Sequence, residues 1–335
     1  MKFKILLVAL CLIGLTMPSF AGAAEKPEYV LKAGHIAAPN HVYHRILIYF
    51  ADLVYERSDG RIKVKVYPSA KLGPAAQLLD GVRTGVIPIC QVNIPHLSLF
   101  APELGFFSVY YLFDSLDHWN RTFIKDPRML EKLQKIVADK KLGLKLLTVS
   151  TYGSRNMWTK KQPVKSVADV KGLKIRIPPA KTETKLWQLY GATPTNIAWA
   201  EVYSALQTGV IDAGDGSINA LMNKRFYEVA PYVSLTEHQQ TCLTLVINEK
   251  FFNGLPKELQ QVIEGAAKDA SRFSVAASVV TTNDYLAKLK KAKGVTITNP
   301  DKESFRKVTL PYQKQSAKEL GVEDLYGIIL ENRID

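Results

Sequence analysis

Cysteine is scarce in this chain, with three among 335 residues, and Cys11 falls inside an apolar run near the start. Cys11 follows Leu10 rather than a small residue at the end of that run, which argues against a lipid-anchored cysteine. The other two, Cys90 and Cys242, sit in apolar, strand-like stretches and are either two buried thiols or one disulfide of an oxidising compartment. Familiar catalytic signatures are absent too. There is no G-x-S-x-G elbow, no G-x-x-x-x-G-K-[ST] phosphate loop and no H-E-x-x-H zinc pair. None of the six histidines (His35, His41, His44, His96, His118 and His238) pairs at ligand spacing beside a third donor. His41 and His44 stand three apart at a helix start, where capping or solvation outweighs a metal. Asp212 and Asp215 with Gly214 and Gly216 lack the remaining positions of a calcium loop. These gaps favour binding over catalysis, with no cofactor and no metal.

Long apolar runs are equally rare. The one at Ile5 to Met17 follows Lys2 and Lys4 and precedes Ser19-Phe20-Ala21-Gly22-Ala23-Ala24, with Ala21 and Ala23 placed for cleavage. It is shorter than the roughly 20 residues a bilayer span needs, so residues 1–24 read as a secretory signal peptide. The mature chain is expected to be soluble and periplasmic. About 310 residues then remain, room for two ordinary domains or one large one.

Positive charge is in surplus, +13 at neutral pH, and falls by two when Lys2 and Lys4 leave. The lysines are spread through amphipathic segments. Their one cluster, Lys288, Lys290, Lys291 and Lys293, closes a helix before Gly294, where cations suit the helix dipole. A solvated face explains it, and no nucleic-acid partner is inferred. The charge is compatible with anionic ligands.

Helical and strand patterns alternate throughout, which reads as α/β. Tyr29 to Ile36 predicts a strand. His41 to Arg57 predicts a helix with Val42, Ile46, Phe50, Leu53 and Val54 on one face, ended by Ser58-Asp59-Gly60. Arg61 to Tyr67 alternates as a half-buried strand, Ala75 to Thr84 is helical, and Val86 to Val92 is an apolar strand. Strands are expected over Leu144 to Thr151, Leu173 to Ile177 and Val210 to Ala213, with helices over Thr182 to Tyr190 and Ala200 to Thr208. From Pro256 to Lys293 only Gly265 interrupts a helical pattern. This is either one helix of roughly 57 Å or two with a kink near Ser274 to Ser278. There is no low-complexity linker and no fixed-period repeat.

The segments Tyr152-Gly153-Ser154-Arg155 and Lys174-Ile175-Arg176-Ile177-Pro178-Pro179 resemble the arginine segments of solute receptors of tripartite ATP-independent periplasmic (TRAP) transporters. Gly191-Ala192-Thr193-Pro194 and the run from Ala198-Trp199 through Gly209-Val210-Ile211-Asp212 follow that family's pattern more closely still. Ser58-Asp59-Gly60-Arg61, Tyr67-Pro68-Ser69 and Leu72-Gly73 fall in the right order, so the resemblance covers essentially the whole mature chain.

The resemblance implies two α/β lobes around a cleft, joined by crossing strands and a long lobe-spanning helix, closing over one ligand. Residues 25–151 with about 241–280 would form lobe I, and 152–240 with about 281–335 lobe II. It implies membrane subunits of a transporter as partners and a small organic acid as ligand; a monomer is expected. The family's second arginine segment pairs with a ligand carboxylate, which lands on Arg176. A guanidinium matches a carboxylate with two parallel hydrogen bonds and stays charged when desolvated. Arg155 would reach the same carboxylate or another polar group. Trp199 falls where the family carries an aromatic against the ligand, although a core role is equally open.

Many relatives read Gln-Glu-Asn-Pro where this chain has Gly214-Asp215-Gly216-Ser217. Gly216 would leave room for a bulkier ligand, and Asp215 either contacts it or caps the following helix. Asn93 and His96 follow the third strand, His35 and Ile36 end the first, and Gln240 lies near the crossing; each is weighed equally against a structural role. Tyr110-Tyr111 also departs from the family. With Trp199, Tyr152 and the missing amide it points to an aromatic pocket. The expected ligand is a monocarboxylate with an apolar or aromatic body, held by Arg176, with a small dicarboxylate as the alternative. A periplasmic α/β enzyme acting on a small organic acid, and a receptor serving a sensor, are the competing functions.

Overall fold

Strand β2 (Ile62–Tyr67) buries Ile62 and Val64 and turns Lys63 and Lys65 to water, as its alternation requires. It pairs in parallel with β1 (Tyr29–Gly34) along the whole strand. The structure, a computed structural model, describes residues 26–178 and 180–333, so the signal read at 1–24 lies outside the described residues. With β3 (Ile89–Asn93), β4 (Leu144–Ser150) and β10 (Leu243–Asn248), these strands form a first sheet in the order β2-β1-β3-β10-β4. Helix α1 (Val42–Arg57) lays Val42, Ile46, Phe50 and Val54 against this sheet's core. His41 caps it, its ring accepting from the Tyr43 N–H at 3.0 Å. Helix α2 (Ala75–Thr84) ends at Gly85, whose φ of 84° is the left-handed conformation glycine adopts freely.

The second sheet runs β11-β9-β5-β8-β6-β7. Its strands are β5 (Ser154–Thr159), β6 (Lys174–Ile177), β7 (Thr193–Asn196), β8 (Ala213–Ser217), β9 (Tyr232–Gln240) and β11 (Thr296–Thr298). Adjacent strands carry the chain between the sheets twice, from β4 to β5 and from β9 to β10, and a long helix after β10 returns it to β11. Thr241 ties the crossings together: its hydroxyl donates to the Gly153 carbonyl at 2.8 Å and accepts from the Tyr152 N–H at 2.9 Å.

Two sequence expectations differ from the structure in instructive ways. The strand expected at Val210 to Ala213 lies instead at Ala213–Ser217, with Val210 exposed. Glycine has low strand propensity, so Gly214 and Gly216 hid it. They are there for Trp158: a Cβ on Gly214 would sit 2.5 Å from its indole nitrogen, and one on Gly216 2.7 Å from its ring. The strand expected from Val86 begins only at Ile89, after Pro88, and Val86 is 78 % exposed.

The late helix is continuous. With α3 (Pro127–Asp139), α4 (Lys181–Leu189), α5 (Val202–Thr208) and α6 (Ile218–Asn223) preceding it, α7 (Lys257–Lys290) runs 34 residues, about 51 Å. The helix is unbroken through Ser274, whose hydroxyl also ties it to the crossing. Ser274 Oγ accepts from the Thr151 N–H at 3.0 Å while donating to the Ser271 carbonyl at 2.6 Å. The helix packs on α1 and β4 at one end and on α6 at the other, thereby spanning both lobes. The last helices, α8 (Lys302–Leu320) and α9 (Glu323–Glu331), return the chain toward the first sheet. Helix α9 lies on α3, with His118 Nε2 2.8 Å from the Ile329 carbonyl. The C-terminal segment, allotted above to lobe II, therefore finishes on the helix that covers β4. Cys90 and Cys242 are both buried free thiols. Among the described residues no helix is long and apolar enough to cross a membrane.

Candidate ligand-binding site

Arg155 and Asp215 meet because of strand register. On β5 and β8, Arg155 pairs with Ser217 and Met157 with Asp215, so Arg155 and Asp215 are diagonal neighbours on one face. Arg155 Nε donates to Asp215 Oδ2 at 2.7 Å, and Nη2 stands at ion-pair distance, 2.7 Å, from the same oxygen. On the other side of β5, His238 of β9 brings Nε2 to the same oxygen at 3.0 Å. Its Nδ1 faces Thr236 Oγ1 at 2.8 Å, so a neutral ring donates to Asp215 and accepts from the threonine. Burial would raise the Asp215 pKa, but the Arg155 charge and the His238 hydrogen bond overrule it and hold it at about 2. Arg155 is stabilised as the cation in return: burial works against its charge, and Asp215 and Glu183 more than restore it. Glu183 of α4 stands 3.9 Å from Arg155, fully buried, with neither oxygen hydrogen-bonded. Burial pushes it up to about 7.

Arg176 lies on β6 in a run where Ile175, Arg176 and Ile177 are all buried. Its Nε donates to the Ile197 carbonyl at 3.0 Å, and its guanidinium lies over the Trp199 ring, 5.1 Å from the centroid. It is 6 % exposed and, among the described residues, has no carboxylate within ion-pair distance. Burial, then the Arg155 charge, lowers its pKa to about 10, so it remains a cation at neutral pH.

Both arginines line a cleft between the sheets with a volume of about 510 Å³. That is within the 300–1,000 Å³ of ordinary small-molecule sites. Trp199, Tyr152, Asn93 and His96 line it as well. The Tyr152 hydroxyl donates to Asn93 Oδ1 at 2.9 Å, which leaves the Asn93 amide hydrogens for other acceptors. His96 is pushed down to about 4 by burial and by the Arg176 charge, and is neutral. Trp199 serves two purposes, stacking under Arg176 and meeting Phe226 edge-on at 5.2 Å.

Three of the expected contacts lie off the cleft wall. Asp215 is behind Arg155, orienting it; the following helix is capped by Ser217, whose hydroxyl accepts from the Ala220 N–H at 3.1 Å. His35 is in the first lobe's interior, its Nε2 2.9 Å from His44 Nδ1. Gln240 is buried on β9 beside the crossing. Two supports for an aromatic pocket are corrected as well. The Tyr110 ring packs on Trp187 and His238 in the core, and the Tyr111 hydroxyl donates to the Thr236 carbonyl at 3.1 Å. At Gly216 the missing side chain would point at Trp158, so this glycine makes room for the core rather than for the ligand. Sequence reasoning missed Tyr43, Asn196, Asn223 and Lys224, all on the wall. None stands in a motif, and only the folded chain brings them together.

Two α/β lobes, paired crossings, a helix along both lobes and a polar cleft with a surplus cation define a solute receptor. The chain belongs to the family described as "Bacterial extracellular solute-binding protein, family 7", whose pattern matches residues 33–320. This is the family of TRAP transporter solute receptors, not a family of enzymes. The chain is similar to the 2,3-diketo-L-gulonate-binding periplasmic protein of Escherichia coli, 30 % identical over 305 residues and 91 % of each chain. Among solved structures it resembles a TRAP periplasmic solute-binding protein of Anaerococcus prevotii with bound D-glucuronate. There the TM-score is 0.85 and the identity 26 %, over 91 % of this chain and 98 % of the other. A TRAP receptor of Chromohalobacter salexigens, also with bound D-glucuronate, gives a TM-score of 0.84 at 28 % identity, over 90 % and 100 %.

Proposed function

We propose that this chain captures an organic acid in the periplasm, holds its carboxylate against Arg176, and delivers it to membrane subunits of a TRAP transporter. One observation carries the reading: Arg176 is a buried cation on the cleft wall without a carboxylate partner among the described residues. Desolvating an unpaired charge is costly, and a ligand carboxylate relieves that cost through two parallel hydrogen bonds. Asp215 and His238 hold Arg155 in place beside it. The two lobes close over the acid by a population shift, because only the closed state offers both walls to the ligand. Closure excludes water and strengthens the ion pair.

Trp199 and Tyr152 offer flat surfaces for the ligand's body, while Asn93, Asn196 and Ser217 bring polar groups to the same wall. This mixture favours a hydroxylated acid over a purely apolar one, in keeping with the glucuronate bound by the two receptors above.

The test is thermal unfolding of the mature protein against a panel of organic acids, with Arg176→Ala alongside. An acid at about 100 times its Kd adds about 2.7 kcal/mol of stability. A shift with one class of acids that disappears in the variant supports the reading. No shift with any acid, or an equal shift in the variant, refutes it.

A further inference from the structure

Arg155 is shared by two buried carboxyls. Asp215 Oδ2 takes its Nη2 at 2.7 Å and also the His238 ring at 3.0 Å. Glu183 of α4 stands 3.9 Å from the same Nη2, fully buried, with neither oxygen hydrogen-bonded. Among the described residues, the elements packed on α4 bring it no free counter-charge. β7 carries only Thr193, Pro194, Thr195 and Asn196. Phe305 and Thr309 of α8 meet Tyr190, and Arg306 of α8 stands over the Tyr111 ring. In the 3-10 helix Pro102–Ser108, Glu103 is ion-paired with Lys140. Lys181 and Lys185, on α4 itself, are exposed. Tyr110 packs its ring 5.4 Å from that of Trp187, one turn along α4, and burial keeps both its proton and that of Tyr152 in place. An ionised Glu183 therefore depends on Arg155 and then Arg176, against its own burial and the Asp215 charge.

An acid seated on Arg176 draws on that same positive charge and adds a negative one, so the ionised form of Glu183 loses ground. We propose that Glu183 is a positioning residue of the acid site that acts through Arg155, taking up a proton from solution as the acid binds. Neutral in the loaded receptor, it leaves the Arg155 charge to Asp215 and the acid. The inference rests on the reading of the cleft as an acid site and adds a linked proton to it. Its sign follows from the two states. In the free receptor burial pushes Glu183 up to about 7, and the bound acid raises it further. Below the free value Glu183 is neutral with or without acid, and the Kd does not change with pH. Between the two values a proton is taken up and the Kd rises with pH; above both it levels off. His96 at about 4 and His41 at about 3 stay neutral over this range, and the carboxylate of a small acid stays ionised.

The experiment is titration calorimetry of the mature protein with D-glucuronate, D-gluconate and succinate, in phosphate and in Tris, whose different ionisation heats count the protons exchanged. For an acid that binds, uptake of about half a proton near pH 7 is expected, with a Kd that rises about 3- to 10-fold from pH 6.5 to 8.5. Glu183→Gln, neutral at every pH, takes up none and gives a flat Kd. A carbon-13 titration of the Glu183 carboxyl in the parent, with and without the acid, reads the same linkage without a variant. An acid that binds with no proton uptake overturns the inference and leaves the receptor reading intact. So does uptake that survives in Glu183→Gln, or a carboxyl whose titration the acid does not move. If none of the three acids binds at any pH, both fall together.

Discussion

Arg155 places two nitrogens, Nε and Nη2, on a single oxygen of Asp215, each at 2.7 Å. Both side chains are buried; Arg155 lines the cleft, and Asp215 stands behind it as its support. Removing one partner of such a pair leaves an uncompensated charge, which costs about 3–5 kcal/mol. Asp215→Asn is therefore expected to lower the unfolding free energy by about that much in urea denaturation, and to weaken acid binding as Arg155 loses its orientation. A loss under about 1 kcal/mol would mean that the pair is not the support described.

Gly216 separates two explanations of the same residue. If its lack of a side chain serves Trp158, Gly216→Ala forces a contact that started at 2.7 Å and destabilises the fold by about 1–3 kcal/mol. Thermal denaturation would show this as a lowered Tm. An unchanged Tm with weakened ligand binding would return Gly216 to the role of making ligand space.

Trp199 underlies the Arg176 guanidinium at 5.1 Å. A cation–π contact of this kind contributes about 0.5–2 kcal/mol. Trp199→Ala is expected to raise the Kd for the bound acid about 3- to 30-fold by calorimetry, with Trp199→Phe recovering part of the loss. Equal affinity in the alanine variant would assign Trp199 to the Phe226 core alone.

Glu183 makes one separable contribution to the pH dependence of stability. Its pKa rises on folding from 4.5 to about 7, through burial, so the folded state favours the neutral carboxyl. Between those values the folded chain binds more protons than the unfolded one, and stability falls as pH rises. Below pH 4.5 the contribution vanishes, because the carboxyl is protonated in both states. Glu183→Gln removes it. The stability of the variant relative to the parent should grow by about 3 kcal/mol from pH 4.5 to 7, read by urea denaturation at each pH. A pH-independent difference would sink this account.

Much of the architecture was legible locally. The alternation of Ile62, Val64 and Lys63 marks a half-buried strand, and the apolar stripe of α1 marks a covering helix. Arg176 was marked by the resemblance to a family's second arginine segment, and its place between two isoleucines at a strand end supported it. The continuity of α7 was only half legible, since its serines look like helix-weakening residues until their partners on β4 and at Thr151 are seen. Strand β8 was misplaced for a similar reason: glycines read as weakness, and Trp158, which requires them, comes 56 to 58 residues earlier.

By itself the sequence determined the α/β alternation, the helix caps and stops, the two arginine segments and the surplus of positive charge. These rest on periodicity, local hydrogen bonding and residue chemistry, which act within a few residues. Only the tertiary structure decided that Asp215 belongs to Arg155 rather than to the ligand, that Tyr110 and Tyr111 face the core, and that Lys224 shares a wall with His41. All of these pairings, including those of the tyrosines with Trp187, Thr236 and His238, join residues 60 or more apart in the chain. Their physical cause is strand register and lobe packing. A one-residue slip of β5 against β8 would turn Arg155 away from Asp215, and no local pattern in either segment records which register wins.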